Sequence, residues 1–202
     1  MRSSPRTTPT RARLGGTAAV LAGLCYGAAG YFHRPGISGY TGALVSVLLM
    51  ALPALFLGGL LGLHARLPDA TQTEDFASSA GFVGFVFGCF GAVLGIAGAL
   101  GLEGTIASAL GLEGTSITFC YWVLLLAGLT LMGLAASLTG GLRLLGAVVS
   151  ISGALGWVSL LTDPEFSGVL VPMRPVHVAF AAAFCLSWVV WGAVLMVPRE
   201  NR

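Results

Sequence analysis

Six stretches without one charged side chain, residues 14–32, 36–63, 76–102, 114–142, 144–162 and 178–198, limit what this chain can become. A helix rises about 1.5 Å per residue and the hydrocarbon core of a bilayer is about 30 Å thick, so about twenty apolar residues span it. Each stretch reaches that length. None approaches the roughly forty residues that a helical hairpin hidden within one stretch would need. The reading is an all-α fold, a polytopic integral membrane helix bundle with six transmembrane spans at about 14–32, 40–63, 81–101, 117–136, 144–162 and 178–197.

Composition excludes the alternative of a water-soluble globule. Only 9% of the 202 residues are charged and 56% are hydrophobic, whereas soluble domains carry roughly 25% charged residues. The gaps between the apolar stretches are too short to hold a separate domain, which needs about fifty residues. The expected organisation is a basic, flexible cytoplasmic tail at 1–13, a single transmembrane domain at 14–198 and a short basic tail at 199–202.

Arginine sets the orientation, because positive residues flanking spans are retained on the cytoplasmic side. With the N-terminus inside, Arg2, Arg6, Arg11, Arg13, Arg66, Arg143, Arg199 and Arg202 are cytoplasmic, and Arg34 and Arg174 lie outside. Both termini are then cytoplasmic. Tyr31, Tyr40, Tyr121, Trp122 and Trp157 would form an aromatic belt at the outer interface. The basic start and the apolar run after it also resemble a secretory signal. The nineteen-residue run and the bulky Leu24 before Cys25 favour an uncleaved first span. Ten arginines and no lysine, with abundant Ala, Gly and Leu, point to a GC-rich genome and the cytoplasmic membrane of a prokaryote.

The strongest pattern lies in the third span. Gly81, Gly84, Gly88, Gly91, Gly95 and Gly98 recur at spacings of three and four, which places them on one stripe of a helix, with Phe82, Val86, Phe90 and Val93 opposite. Six glycines lower helix propensity by around 5 kcal/mol in water relative to alanine. Close backbone packing against another helix offsets that loss, because lipid supplies no hydrophobic drive for helix association. The stripe is read as a helix-packing surface, with small-residue faces on the first, fifth and sixth spans as candidate partners.

Leu-Glu-Gly-Thr occurs twice between the third and fourth spans, at 102–105 and 112–115. Ten residues along a helix turn through about 1000°, so Glu103 and Glu113 would not share a face. The segment reads as a Gly-flanked turn, a short helix at 106–110 and a second Gly-flanked turn. A paired-carboxylate site is not expected there.

Chemistry-bearing residues are few. No Asp, Glu, Lys, Arg or His falls within a span core, so a buried carboxylate relay is disfavoured. Scattered Ser and Thr, such as Ser46, Thr130, Ser150, Ser152 and Ser187, are what polar side chains the spans contain. Cys25, Cys89, Cys120 and Cys185 sit in four different spans without metal-ligand spacing and read as packing residues. Pro53 is expected to kink the second span. The candidate polar cluster is at the outer face: His33, Arg34, Glu103, Glu113, Asp163, Glu165, Arg174 and His177. Those residues could converge, yet no short motif fixes them as metal ligands. No phosphate-binding loop, dinucleotide fingerprint or hydrolase motif is present.

The expectation is therefore a multi-pass membrane protein of structural or accessory-subunit type. It takes no cofactor, metal or nucleic acid and has no enzymatic role. Its partners are the lipid bilayer and a second membrane subunit or further copies of itself. The alternative is a channel or transporter for a small neutral or apolar solute.

Overall fold

The computed structural model describes residues 8–32, 40–66, 76–109, 111, 117–138, 142–162 and 174–197. Among these residues the chain forms seven helices and no strand: α1 (Thr8–Phe32), α2 (Tyr40–His64), α3 (Phe76–Ala99), α4 (Glu103–Ala109), α5 (Ile117–Leu138), α6 (Arg143–Thr162) and α7 (Arg174–Met196). Five contain segments long and apolar enough to cross a membrane: Val47–His64, Ser79–Ala99, Ile117–Leu138, Arg143–Thr162 and Val176–Met196. This is the composition of a multi-pass membrane protein.

The first helix is not among these five segments. It is the least apolar of the six long helices, because its first turns carry Thr8, Pro9, Thr10, Arg11 and Arg13. It also starts earlier than expected. Residues 8–13, assigned from sequence to a flexible tail, are its first turns. Pro9 is tolerated there because a first-turn residue has no helical acceptor for an N–H.

Each long helix packs on its predecessor and successor, and α7 closes on α1, so the six form a ring in chain order. Short connections between neighbouring antiparallel helices lead to this arrangement. Glycine sets its seams. At α1 and α2 the backbones of Gly15 and Gly62 touch. At α1 and α7 a methyl group added to Gly16 would stand 2.6 Å from the Gly192 carbonyl oxygen. At α5 and α6 one added to Gly133 would stand 2.5 Å from the Ser150 nitrogen. Approach this close multiplies van der Waals contacts between helices.

Large rings fill the middle. Trp188, Trp191 and Phe56 are fully buried and Phe184 is 2% exposed. The Phe56 and Trp188 ring centroids are 4.4 Å apart, those of Trp188 and Trp191 4.7 Å, and those of Phe184 and Trp188 6.1 Å, all inclined as aromatic quadrupoles prefer. Leu60, Leu125, Leu129 and Met132 complete this core. The outward face of α3 is the reverse: Phe82, Val86, Phe90 and Val93 are 45 to 57% exposed, a surface suited to lipid.

The repeated Leu-Glu-Gly-Thr segment resolves into two helix stops. Gly101 has φ +74° and Gly111 has φ +67°, the left-handed conformation that glycine adopts without steric penalty. At the first, the Gly101 N–H donates to the Gly98 carbonyl at 2.9 Å and the Leu102 N–H to the Ala97 carbonyl at 2.9 Å, which caps the end of α3. At the second, the Gly111 N–H donates to Ser108 at 3.2 Å, ending α4. The short helix is thus Glu103–Ala109, starting three residues and ending one residue earlier than read from sequence, because the glycine that starts the connection is Gly101.

Candidate functional site

The α3 glycines turn toward α5 and α2, not toward any of the three small-residue faces proposed from sequence. A methyl group on Gly84 would lie 2.7 Å from the Leu131 Cβ. On Gly91 it would lie 2.8 Å from the Leu125 nitrogen, and on Gly95 2.9 Å from the Tyr121 ring and 3.0 Å from Pro53. On Gly88 it would meet the tip of Leu60 at 2.7 Å. Gly81, Gly84, Gly88 and Gly91 are buried, and Gly95 and Gly98 are half-buried. The missed partner is Gly128 of α5: a methyl there would stand 2.5 Å from the Gly88 nitrogen. Gly128 is without a glycine partner on this face of α5, since Gly133 packs on Ser150 of α6, so the sequence shows no stripe there.

The other small faces are occupied elsewhere. Gly23 of α1 faces Cys185 and Trp188 of α7, and Gly153 of α6 faces Thr130 of α5. Pro53 lies within an uninterrupted α2 and fills the space beside Gly95. The hydroxyls inside the bundle bond to their own helices: Thr130 donates to Leu126 at 2.8 Å, Ser152 to Val148 at 2.9 Å and Ser187 to Phe184 at 2.6 Å. Turned back on the helix backbone in this way, these three hydroxyls do not offer their hydrogens to the interior.

At the end of the ring that carries α4, four helices leave a small pocket. Tyr26 of α1, Trp122 of α5 and Phe184 of α7 wall it with rings, Leu160 and Gly156 of α6 complete the apolar part, and Ser159 and His177 supply polar atoms. The Tyr26 and Trp122 centroids are 5.4 Å apart, and those of Tyr26 and Phe184 5.9 Å. Beyond these rings Phe56 and Trp188 close the way to the other end. The pocket offers about 20 Å³ to the centre of a water-sized sphere. That is room for one water-sized group, since about 10 to 15 Å³ suffices for it.

His177 is held by the end of α6. Its Nδ1 lies 3.0 Å from the Ser159 carbonyl oxygen in the last turn of α6, which also accepts from the Thr162 hydroxyl at 3.2 Å. A carbonyl only accepts, so Nδ1 carries the hydrogen and donates it. In the neutral ring Nε2 is then an acceptor.

Of the outer polar cluster, His177 alone has a described side chain, and it is half-buried. Glu103 starts α4 and Arg174 starts α7. His33, Arg34, Glu113, Asp163 and Glu165 lie outside the described residues. Among the described residues no three His, Cys, Asp or Glu side chains come together as metal ligands. The four cysteines are free and half-buried on α1, α3, α5 and α7. Tyr121, placed by sequence in an interfacial belt, is instead buried against Gly91, Gly95 and Trp122. The phenol oxygen of Tyr121 and the indole nitrogens of Trp188 and Trp191 have no hydrogen-bond partner among the described residues. The pocket itself was not legible, because its lining comes from four helices and no two of its aromatic rings share one.

At the opposite end the Thr17 hydroxyl of α1 donates to the Met196 sulfur of α7 at 3.5 Å. Arg66, just past α2, donates from Nη2 to the carbonyls of Leu195 at 2.8 Å and Val197 at 3.0 Å, covering the end of α7. His64 stacks on Phe85 beside it, with centroids 4.1 Å apart.

Compared with known protein families, curated proteins and solved structures, the chain matches none.

Proposed function

We propose that this chain is a structural or accessory subunit of a prokaryotic cytoplasmic membrane. In this reading six helices span the bilayer, both termini are cytoplasmic and α4 faces outward. The observation that carries it is the apolar centre: Trp188, Trp191, Phe56 and Phe184 occupy the middle of the ring, and the Ser152 and Ser187 hydroxyls are turned onto their own helices. A solute pathway would need polar groups there to replace water around the permeant. α1 supports the same reading. As a small-residue helix it gains more from contact with α2 and α7 than from lipid, a property of a scaffold built by close packing. The reading assigns no catalytic role and no cofactor, and takes as partner a second membrane subunit or further copies of the chain.

The test is purification of the full chain in nanodiscs with mass spectrometry of what travels with it, paired with flux in liposomes. A stoichiometric second polypeptide or a defined oligomer, with glycerol flux equal to that of empty liposomes, is the expected result. Saturable glycerol flux by a lone protein would replace this reading with the transport one.

A further inference from the structure

We propose that the ring is two rigid three-helix halves, α7 with α1 and α2, and α3 with α5 and α6, which shift against each other at the α2/α3 and α6/α7 seams. The inference goes beyond the scaffold reading and holds for either orientation in the bilayer.

Three observations carry it. First, the described glycines sort the seams by what they touch. Gly15 of α1 meets the Gly62 backbone of α2, and methyl groups added to Gly16 and Gly23 would stand 2.6 Å from the Gly192 and Cys185 carbonyl oxygens of α7. In the other half, one on Gly84 would stand 2.9 Å from the Gly128 carbonyl oxygen of α5, and Gly146 of α6 meets the Ser137 backbone of α5. Backbone atoms in such contact have no rotamers through which to yield. At the two remaining seams the glycines meet side chains of the other half: Gly88 the tip of Leu60, Gly95 the Pro53 ring and Gly156 the Phe184 ring. Second, rings resting on rings join the halves: His64 on Phe85, Phe56 and Tyr26 on Trp122, and Trp122 on Phe184. Side chains can re-pack while the backbones behind them stay intact, which is the basis of shear between packed helices. Third, the pocket straddles the boundary, with Tyr26, His177 and Phe184 from one half and Trp122, Ser159 and Leu160 from the other. A gap is what remains where two bodies meet by side chains and not by interlocked backbones.

The experiment uses the full chain in nanodiscs, with Cys25, Cys89, Cys120 and Cys185 replaced by alanine. Spin labels are placed in pairs at Val47→Cys, Val93→Cys, Leu161→Cys and Val178→Cys, exposed positions toward the α4 end of α2, α3, α6 and α7, and electron–electron distances are measured. The pairs 47/178 and 93/161 lie within the halves; the pairs 47/161 and 93/178 cross between them. Each site serves in both sets, so fraying of one helix end would broaden both. The crossing pairs are expected to give broader distance distributions than the pairs within halves. Gly88→Ala and Leu60→Phe, wedges from the two walls of the α2/α3 seam, are expected to move both crossing means by about 1 to 2 Å, the scale of helix shifts at an interface, and to leave the means within halves in place. Crossing distributions as narrow as those within halves would overturn the proposal. So would a wedge that moves a distance within a half as far as a crossing one, or that moves no crossing distance. The comparison without wedges decides by itself should a wedged variant fail to fold.

Discussion

Three glycines within one stretch of chain separate the two physical reasons for having no side chain. At Gly91 the reason is space. A methyl group there would meet the Leu125 nitrogen at 2.8 Å and the Tyr121 oxygen at 3.0 Å, backbone atoms that cannot rotate away. At Gly101 the reason is conformation, since φ is +74° and nothing lies within 4 Å of an added methyl. Gly104 has neither constraint. Alanine is therefore expected to destabilise the chain at Gly91 by about 1 to 3 kcal/mol, the range for overpacking. At Gly101 the loss should be about 1 to 2 kcal/mol, the left-handed penalty. At Gly104, inside α4, alanine should be neutral or stabilising by up to about 1 kcal/mol. Thermal unfolding of the three variants in one detergent checks the order; Gly104→Ala as harmful as Gly91→Ala would remove the packing argument. Gly88 belongs between them, because the atom it faces is the movable end of Leu60.

Among the elements, α7 is tied at both ends by side chains distant in sequence. His177 in its first turn donates to the end of α6, and Arg66 from the end of α2 donates to its last carbonyls. The last carbonyls of a helix lack a backbone N–H donor within it, and a guanidinium also suits the negative end of the helix dipole. Arg66 is partly exposed, so solvent screens much of this interaction. Arg66→Ala is expected to lower stability by about 1 kcal/mol and to speed hydrogen exchange in the last turn of α7, where hydrogen bonds to charged groups contribute most. Hydrogen exchange read by mass spectrometry locates the change. Faster exchange spread evenly over the bundle, or none in the last turn of α7, would show that the guanidinium does not pin that end.

For the whole molecule, the consequential question is whether α1 crosses the bilayer, since five spans put the termini on opposite sides and six put them on one. α1 has 25 residues, enough for about 37 Å of helix. Its buried face, Ala12, Gly15, Gly16, Ala19, Ala22 and Gly23, seats it between α2 and α7 for much of that length. A helix packed so closely beside two others that cross is expected to cross with them. With the native cysteines replaced, an impermeant maleimide should label Gly104→Cys on intact cells and Ala70→Cys only after permeabilisation, and reporters at both termini should be active inside. Labelling in the opposite order would invert the orientation; termini on opposite sides would leave five spans.

The helical character, the apolar spans and the direction in which α3 is smooth were legible because each follows from local spacing. Charge-free length decides what can sit in lipid, and a period of three and four decides which residues share a helix face. What those faces meet was not local. Gly84 and Gly91 could have matched any small-residue helix, and only the ring order put α5 there. The helix-breaking glycine of the repeat was visible as a glycine, whereas the left-handed turn that makes Gly101 the stop depends on the hydrogen bonds it closes to Ala97 and Gly98. His177 was visible as one member of an outer polar set. Its tautomer and its ring-walled pocket exist because the end of α6 arrives beside the start of α7, a juxtaposition that no spacing within either helix encodes. The sequence alone determined the solvent and the faces; tertiary packing decided the partners, because a helix periodicity specifies a surface and not what covers it.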